Sequence, residues 1–429
     1  MAGVRPHHGG VHVKAVIVGQ GYVGLPVAMR AVQVGMTVVG LDVDSVRIAA
    51  LHAGESYVDD ISSEQLKEAI ASGRYLASSD YDDTEGFDVA VITVPTPLRE
   101  GLPDISYIES AGASLATRLT RGATVVLEST TYPGTTEEIL VPLLEAGSGL
   151  RAGQDFAVGY SPERIDPGNP TWGFVNTPKV VSGIDEQSLG KVKAFYDLLV
   201  DRTVSVTTPK EAELTKLLEN TFRHVNIALV NELAVFAHEL GVDIWESIDA
   251  AATKPFGYMK FTPGPGVGGH CLPVDPSYLS WQVRRKLGRS FRFVELANDV
   301  NDHMPDYVAQ RSMELLNEDQ RSLNGSTILL VGLAYKRDTA DIRESPSLRL
   351  IELLTSFGAS IRGADRHVES HRWPAAVERV ELSAAEVEAA DLVILVTDHS
   401  DFDLTLLHES PTPVLDTKGR LSGPRVVRL

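Results

Sequence analysis

The single cysteine of this sequence, Cys271, lies in a loop rich in proline and glycine. Residues 262–276 read TPGPGVGGHCLPVDP, a composition that gives a tortuous backbone and suits a place where a ligand approaches closely. A cysteine is more often an inert apolar side chain than a nucleophile. In this loop we interpret Cys271 as a nucleophile, with Asp275 four residues on able to polarise a water or a lysine. We expect His270 to shape the loop rather than to react.

Two further polar residues lie on a long predicted helix. A capping pattern at 208–211 (TPKE) begins this helix, and Gly241 is suited to end it. Lys216 and Asn220 are four residues apart and therefore share one face. An ammonium and a carboxamide placed together could donate hydrogen bonds to an oxyanion, whereas spacing alone also fits a solvated helix face.

A glycine pattern near the start of the chain has the chemistry of a phosphate cradle. Gly19, Gly21 and Gly24 form GQGYVG directly after an apolar segment, and Asp42 follows the next such segment. Glycine allows the tight turn and the close approach of a pyrophosphate, and the carboxylate can accept hydrogen bonds from a ribose diol. Asp42 would repel a 2′-phosphate, so NAD is expected rather than NADP, and Arg47 could cover the adenine or be solvated.

The elements that position these residues follow an α/β plan. β-Branched apolar runs predict strands, and glycine-terminated segments between them predict helices. The first part of the chain is predicted to form strands at 13–19, 36–42, 87–94 and 123–128 with a helix at 25–35. Near the C-terminus the pattern repeats, with strands at 326–334, 359–365 and 391–397 and a helix at 345–357. The predicted fold is two Rossmann-like, doubly wound parallel sheets joined by a long central helix.

Composition excludes several classes of protein. A formal charge of -19 argues against a nucleic-acid surface, and the sequence has no apolar run of the roughly 18 residues needed to span a bilayer. One cysteine cannot form an internal disulfide, and residues 1–12 lack the apolar core of a secretory signal, so a cytoplasmic protein is expected. The 12 histidines show no zinc-ligand spacing with the cysteine, so no metal is expected.

Taken together, the motifs resemble the nucleotide-sugar 6-dehydrogenase family, whose members include enzymes that oxidise UDP-glucose to UDP-glucuronate. The resemblance extends from about Val13 to Thr417. It is carried by seven motifs in order: GQGYVG, VPTP (94–97), ESTTYPGTT (128–136), SPER (161–164), KLLEN (216–220), GVGGHCLPVDP (266–276) and GLAYKRDTADIRESP (332–346).

The resemblance implies a division of the chain and a role for each motif. It implies an NAD-binding domain at 13–207, a central helical and dimerisation domain at 208–318 and a nucleotide-sugar-binding domain at 319–429. The polar, glycine-rich composition of residues 1–12 predicts a flexible arm before them. The implied catalytic residues are Cys271 as nucleophile, Lys216 and Asn220 as oxyanion donors, Asp275 as partner of Lys216 and the hydrolytic water, and Glu163 and Thr130. The implied cofactor-binding residues are Gly19, Gly21, Tyr22, Val23, Gly24, Asp42, Arg47, Thr96, Thr130 and Arg343. The implied substrate-binding residues are Glu163, Arg164, Lys216, Asn220, Gly268 and Lys336.

The implied reaction has two oxidation steps. One hydride leaves the C6 alcohol for NAD, Cys271 traps the aldehyde as a thiohemiacetal, a second hydride leaves for a second NAD, and water hydrolyses the thioester. Family members acting on UDP-glucose usually have a lysine where this chain has Val274. Residues 253–271 look more like the branch of the family that oxidises UDP-N-acetylhexosamines. The expected substrate is therefore UDP-GlcNAc-like, with UDP- or dTDP-glucose as the alternative. A two-electron β-hydroxyacid-type dehydrogenase, which uses a lysine but no cysteine, and an NAD-binding sensor or scaffold are the competing readings.

Overall fold

The structure is a computed structural model that describes residues 13–58, 60–99, 102–166, 169, 171–269, 272 and 274–429. The predicted arm at 1–12, together with His270 and Cys271, lies outside the described residues. The chain divides into two compact units, with the division after Leu218. Within the described ranges, no helix is long and apolar enough to cross a membrane.

Among its described residues, the first unit contains ten strands and six complete α-helices, and a seventh α-helix continues beyond it. The strands are β1 (Lys14–Val18), β2 (Thr37–Leu41), β3 (Tyr75–Ser78), β4 (Val89–Ile92), β5 (Leu98–Arg99), β6 (Leu102–Pro103), β7 (Thr124–Leu127), β8 (Ala157–Tyr160), β9 (Lys179–Val181) and β10 (Thr203–Ser205). The helices are α1 (Gly24–Gln33), α2 (Ser45–His52), α3 (Ser63–Ala71), α4 (Ser106–Ala116), α5 (Val141–Ser148), α6 (Glu186–Leu199) and α7 (Pro209–Glu239).

The main sheet of the first unit is parallel and has the strand order β3-β2-β1-β4-β7-β8. Successive residues of β1 point to opposite faces, where two apolar clusters cover the sheet: Ala15 and Ile17 belong to one cluster, and Val16 and Val18 belong to the other. Burial on both faces explains why these strands are continuous apolar runs rather than alternating ones. The order reverses between β1 and β4, so ligands are expected at the carboxyl ends of those strands.

The second unit repeats this plan after a helical segment. Its strands are β11 (Thr327–Val331), β12 (Ser360–Ala364), β13 (Val377–Arg379), β14 (Leu392–Leu395), β15 (Val414–Asp416) and β16 (Val426–Arg428). Its helices after α7 are α8 (Ile244–Ala252), α9 (Asp275–Leu287), α10 (Arg292–Asp302), α11 (Met304–Glu318), α12 (Pro346–Ser356), α13 (Ala384–Ala389) and α14 (Thr405–His408). The sheet order, β13-β12-β11-β14-β15-β16, matches that of the first unit strand for strand.

The two sheets also share local detail at the first turn. Gly19 and Gly332 both follow the first strand with positive φ, +93° and +81°, and each N–H donates to the carbonyl oxygen of the last residue of the second strand. Asp42 and Asp365 follow that second strand, and each accepts a main-chain N–H from the residue after the glycine, at 2.8 and 2.7 Å. The predicted pair of Rossmann-like domains with a central helix is confirmed, whereas the boundaries of the three domains stay a prediction.

Helix α7 has the ends that the sequence predicts. The Glu211 carboxylate accepts a hydrogen bond from the Thr208 N–H at 3.0 Å and another from the Thr208 hydroxyl. At the other end Gly241 has φ +66°, and its N–H donates to the His238 carbonyl at 3.1 Å. Because α7 begins in the first unit and ends in the second, it carries Lys216 on one side of the division and Asn220 on the other.

Candidate active site

The three glycines of the loop between β1 and α1 have the packing expected of a phosphate-binding turn. A Cβ on Gly19 would lie 2.8 Å from the Thr93 carbonyl oxygen, and one on Gly24 would lie 1.8 Å from the Gly19 carbonyl oxygen, so neither position tolerates a side chain. A Cβ on Gly21 would meet nothing within 4 Å. The loop therefore packs tightly at its first and third glycines and leaves space at its second, as a pyrophosphate requires.

Asp42 is held in place at the carboxyl end of β2. Its two carboxylate oxygens accept the N–H groups of Gln20 and Asp44 at 2.8 and 2.9 Å, and an Arg47 guanidinium nitrogen lies 3.3 Å from it. The Arg47 guanidinium also lies 6.0 Å from the ring centre of Tyr57. Burial, and then the charge of Asp42, raise the pKa of the Tyr57 phenol, so Tyr57 is a neutral wall of this site. The residues present fit the adenosine ribose of NAD.

Other predicted cofactor residues occur at the ends of neighbouring strands. The Thr96 hydroxyl donates to the Thr130 carbonyl oxygen at 2.8 Å, which joins the VPTP and ESTTYPGTT motifs. Tyr22 is half exposed beside the glycine loop, and Val23 immediately precedes α1.

Glu213 on α7 is a buried anchor beside the predicted site residues that the sequence did not predict. Its buried carboxylate accepts the Gly134 N–H at 2.5 Å, the Thr136 N–H at 2.9 Å and the Thr136 hydroxyl at 2.7 Å. Burial raises the pKa of Glu213 to about 7, against the effect of those hydrogen bonds. Glu213 therefore anchors the segment after Thr130 to the helix turn that carries Lys216.

The SPER motif contacts the same helix within the first unit. The Lys216 Nζ donates to the main-chain carbonyl oxygen of Glu163 at 2.6 Å, and Lys216 is 8% exposed. The guanidinium of Arg164 donates to the Pro178 carbonyl oxygen at 2.6 Å. A lysine that has little contact with solvent and is held by a carbonyl oxygen is suited to donate to a ligand oxygen.

Two more of the predicted catalytic residues meet in the second unit. The Asn220 Nδ2 donates to Asp275 Oδ2 at 2.5 Å, and both side chains are buried. Asp275 is the first residue of α9, so the loop with Cys271 leads directly into a helix whose start is tied to α7. Cys271 itself lies outside the described part of the chain.

The glycine-rich loop before the cysteine packs against the 332–346 motif in the second unit. The Gly269 N–H donates to the Arg343 carbonyl oxygen at 3.2 Å. A Cβ on Gly268 would lie 2.6 Å from Tyr335 Cβ and 2.7 Å from the Glu344 carbonyl oxygen, so glycine is required for this approach. The Arg343 guanidinium pairs with Asp341. Lys336 is partly buried in the same motif.

A cluster of two histidines and an aspartate in the second unit has the composition of a metal site, but its ligand atoms are used in hydrogen bonds. Asp338, His367 and His399 offer ligand atoms within 4.8 Å of one another. The His399 Nδ1 accepts the Asp338 N–H at 2.9 Å, and its Nε2 lies 3.0 Å from Asp365 Oδ2. Burial alone would raise the pKa of Asp365, but the hydrogen bonds from His399 and two main-chain N–H groups lower it to about 2. We interpret this cluster as a structural network, and the expected absence of a metal stays a prediction.

The sequence is similar to a known protein family over most of its length. The sequence matches all three domains of the UDP-glucose/GDP-mannose dehydrogenase family: the NAD binding domain at residues 13–200, the central domain at 210–303 and the UDP binding domain at 329–422. It is 36% identical to the UDP-N-acetyl-D-mannosamine dehydrogenase of Pyrococcus horikoshii over 91% of this chain and 90% of that protein. It is 34% identical to the UDP-N-acetyl-D-glucosamine 6-dehydrogenase of Pseudomonas aeruginosa, over 91% of each.

A solved structure agrees in fold over nearly the whole chain. The structure of a UDP-D-ManNAc dehydrogenase from Pyrococcus horikoshii superposes on this chain with a TM-score of 0.87 at 33% identity. The match covers 97% of this chain and 98% of the Pyrococcus horikoshii chain.

Proposed function

This chain belongs to the UDP-glucose/GDP-mannose dehydrogenase family, with an NAD-binding domain, and we propose that it oxidises the C6 hydroxymethyl group of a UDP-linked N-acetylhexosamine to a carboxylate in two steps. The observation that carries the proposal is the combination of Cys271 with Lys216 and Asn220, which stand four residues apart on α7. A two-electron dehydrogenase has no need of a thiol. The choice of sugar is supported by Val274 and by the names of the relatives reported above.

The cofactor and four side chains have distinct roles in the proposed reaction. The glycine loop and Asp42 would hold NAD, which would supply the hydride acceptor for each of the two oxidations. The Cys271 sulfur forms a bond to the C6 aldehyde carbon, keeps it through the thioester, and leaves as thiolate when water adds and the acid is released. Lys216 and Asn220 donate hydrogen bonds to the oxygen that becomes negative, and Asp275, which holds Asn220 at 2.5 Å, orients the water.

The remaining motif residues bind the two ligands. We assign NAD binding to the glycine loop and Asp42. From the motifs, we also assign it to Tyr22, Val23, Arg47, Thr96, Thr130 and Arg343. Glu163, Arg164, Gly268 and Lys336 bind the nucleotide sugar. The cytoplasm keeps thiols reduced, which suits a catalytic cysteine, so we propose that location.

The test of this function is a count of NADH per sugar. With UDP-GlcNAc, UDP-GalNAc, UDP-glucose, dTDP-glucose and GDP-mannose as a panel, we expect complete conversion to yield two NADH per sugar and an acid. We expect the highest kcat/KM with an N-acetylhexosamine. One NADH per sugar with a ketone or aldehyde product would support the two-electron alternative, and a tenfold preference for UDP-glucose would make the assigned sugar wrong. Binding of NAD without turnover of any sugar would support the sensor or scaffold.

We also propose that the protein forms a homodimer through α7. Within the second unit, four large apolar side chains of this helix, and Leu240 directly after it, recur at spacings of three, four and seven residues, which places them along one face. They are between 44% and 77% exposed: Phe222, Leu229, Leu233, Phe236 and Leu240. An apolar stripe of this length on a protein surface is typical of an interface between subunits.

Leu233→Glu should separate the dimer into monomers, because it places a charge in the middle of this stripe. Sedimentation velocity measures the change, and the wild-type protein should sediment as a dimer under the same conditions. Leu198→Glu on α6 is the matched control, since Leu198 is also half exposed but belongs to a different helix, and it should stay dimeric. A monomeric wild type, or a Leu233→Glu variant that remains dimeric, would contradict the proposal.

A further inference from the structure

Four side chains of the first unit form a buried charged network behind the SPER motif. Lys179 begins β9, Glu128 follows β7, Glu163 follows β8 and Tyr196 lies on α6. The Lys179 ammonium donates to Glu128 Oε1 and, at 3.2 Å, to Glu163 Oε2, and the Tyr196 hydroxyl donates to Glu128 Oε2 at 2.5 Å. One ammonium therefore bridges two carboxylates.

The surroundings of Lys179 shield these charges from water. The side chain of Lys179 is 4% exposed and that of Glu128 is fully buried. The Lys179 Nζ lies 5.6 Å from the ring centre of Phe174 and 5.4 Å from that of Tyr196, so aromatic rings form part of the wall around the ammonium. In such a site the ion pairs are screened little by water, and loss of the ammonium would leave the carboxylates without compensation.

Burial and neighbouring charges shift the pKa values of the three ionisable groups in different directions. Burial raises the pKa of Glu128 to about 7, against the opposing effect of Lys179. Burial also favours the neutral form of Glu163, but the Lys179 ammonium, the Ile165 N–H and the Lys216 ammonium together lower the pKa of Glu163. Burial opposes the charge of Lys179, and the two carboxylates outweigh it and raise the pKa of Lys179. Near neutral pH, the Glu163 carboxylate is therefore ionised and Lys179 is its fixed counter-ion.

Glu163 connects this network to the candidate active site through its own main chain. Its Oε1 accepts the N–H groups of Arg164 and Ile165, both at 2.6 Å, so the carboxylate folds back on the backbone that follows it. Its carbonyl oxygen accepts the Lys216 ammonium at 2.6 Å. The direction of that carbonyl group, and with it the position of the Lys216 ammonium, depends on where the carboxylate is held.

We propose that Lys179, clamped by Glu128 and Tyr196, is a positioning residue that fixes the Glu163 carboxylate and thereby the carbonyl oxygen that holds Lys216. The assignment rests on the proposed function, because it takes Lys216 as an oxyanion donor. A purely stabilising role explains the network less well, since a buried ion pair can often be replaced by apolar residues without loss of stability. Among the described residues, the charged side chains that act on Glu163 include Lys179 on β9, Lys216 on α7 and Glu128 after β7.

The experiment compares Lys179→Met with Lys179→Arg and with the control Lys191→Met. Misplacement of a catalytic group by about 1 Å costs about 100-fold, so Lys179→Met should lower kcat by about 10- to 100-fold with little change in KM for NAD. The acid limb of the kcat profile should move up by about 1–3 pH units, because loss of an adjacent opposite charge raises the pKa of Glu163. Lys179→Arg keeps the charge and should keep the wild-type pH profile. Lys191, which donates from the surface to the Gly122 carbonyl oxygen, should be replaceable without effect on either.

A double variant separates positioning from stability. Without the ammonium the pKa of Glu128 rises further, because Lys179 lowers it. Glu128→Gln combined with Lys179→Met removes this buried carboxyl group, so above neutral pH it should melt at a higher temperature than Lys179→Met alone, yet keep its low kcat and shifted pH profile. If the double variant recovers kcat together with stability, the network is only structural and the proposal is wrong. It is also wrong if Lys179→Met retains wild-type kcat and pH profile.

A measurement without substrate keeps this inference separate from the proposed function. The rate at which an amine-acetylating reagent modifies Lys216, followed by mass spectrometry, should rise several-fold in Lys179→Met, because the amine loses its carbonyl acceptor. An unchanged rate would overturn the positioning role. Failure of the wild type to oxidise any nucleotide sugar would overturn the proposed function and leave this reactivity result to stand alone.

Discussion

Replacing Cys271 with serine should lower the rate of acid formation by at least about 1000-fold, because the hydroxyl is a far weaker nucleophile than a thiolate at neutral pH. NAD binding should be unchanged, since the glycine loop and Asp42 lie in the first unit and Cys271 lies in the sequence of the second. Stopped-flow measurement of NADH should show that steady turnover is lost, while cofactor fluorescence titration gives the wild-type affinity.

The same residue permits a chemical control. Because Cys271 is the one cysteine of the sequence, a thiol reagent modifies a single side chain. Titration should find one thiol in the wild type and none in Cys271→Ser, and modification should inactivate the wild type to the level of the variant. A variant that still forms two NADH per sugar within tenfold of the wild-type rate would disprove the thioester route.

The sequence predicts the two Rossmann-like sheets well because their signals are local. The run from Lys14 to Val18, the glycines after it and Asp42 all lie within about 30 residues, and the same order recurs from Thr327 to Asp365. Burial on both faces requires continuous apolar strands, and a tight turn next to a helix start requires glycine. Each requirement acts on a few adjacent positions, so the pattern is visible without the fold.

The charged network and the Glu213 anchor were not predicted because their partners are distant in sequence. Glu128 and Lys179 are 51 residues apart, and Glu213 reaches a loop 77 to 79 residues before it. A weak signal does exist: Glu128 and Lys179 are charged residues at the ends of apolar strand segments, where a charge needs a partner. Which partner it takes depends on strand order, and the order is known only once the sheet is assembled.

The prediction of the site residues depended on the resemblance to a known family more than on the spacing of the residues. A lysine and an asparagine four residues apart on a helix are usually solvated, but Lys216 and Asn220 are 8% and 7% exposed. Lys216 contacts the SPER motif and Asn220 contacts Asp275, so each is tied to a motif far from it in sequence. Periodicity could not have predicted this burial, because one turn of a long helix resembles another.

Replacing Lys216 with methionine should lower kcat by about 100- to 1000-fold, the usual cost of removing one donor to an oxyanion. The effect should fall on kcat rather than on KM for NAD, since Lys216 is assigned to the oxygen that becomes charged. Lys210→Met is the matched control on the same helix. Lys210 is half exposed and pairs with Glu137 and Glu138 at the surface, so its loss should change kcat by no more than about twofold.

The Lys216 and Cys271 variants together separate the two enzyme classes. A two-electron dehydrogenase that relies on a lysine would lose activity in Lys216→Met but keep it in Cys271→Ser, whereas the four-electron route requires both residues. Under that route, Lys216→Met should still consume two NAD per sugar, only more slowly, because the thiol remains. If Lys216→Met instead kept wild-type kcat, the buried contact of Lys216 with the Glu163 carbonyl oxygen would be structural, and the oxyanion donors would have to be sought elsewhere in the chain.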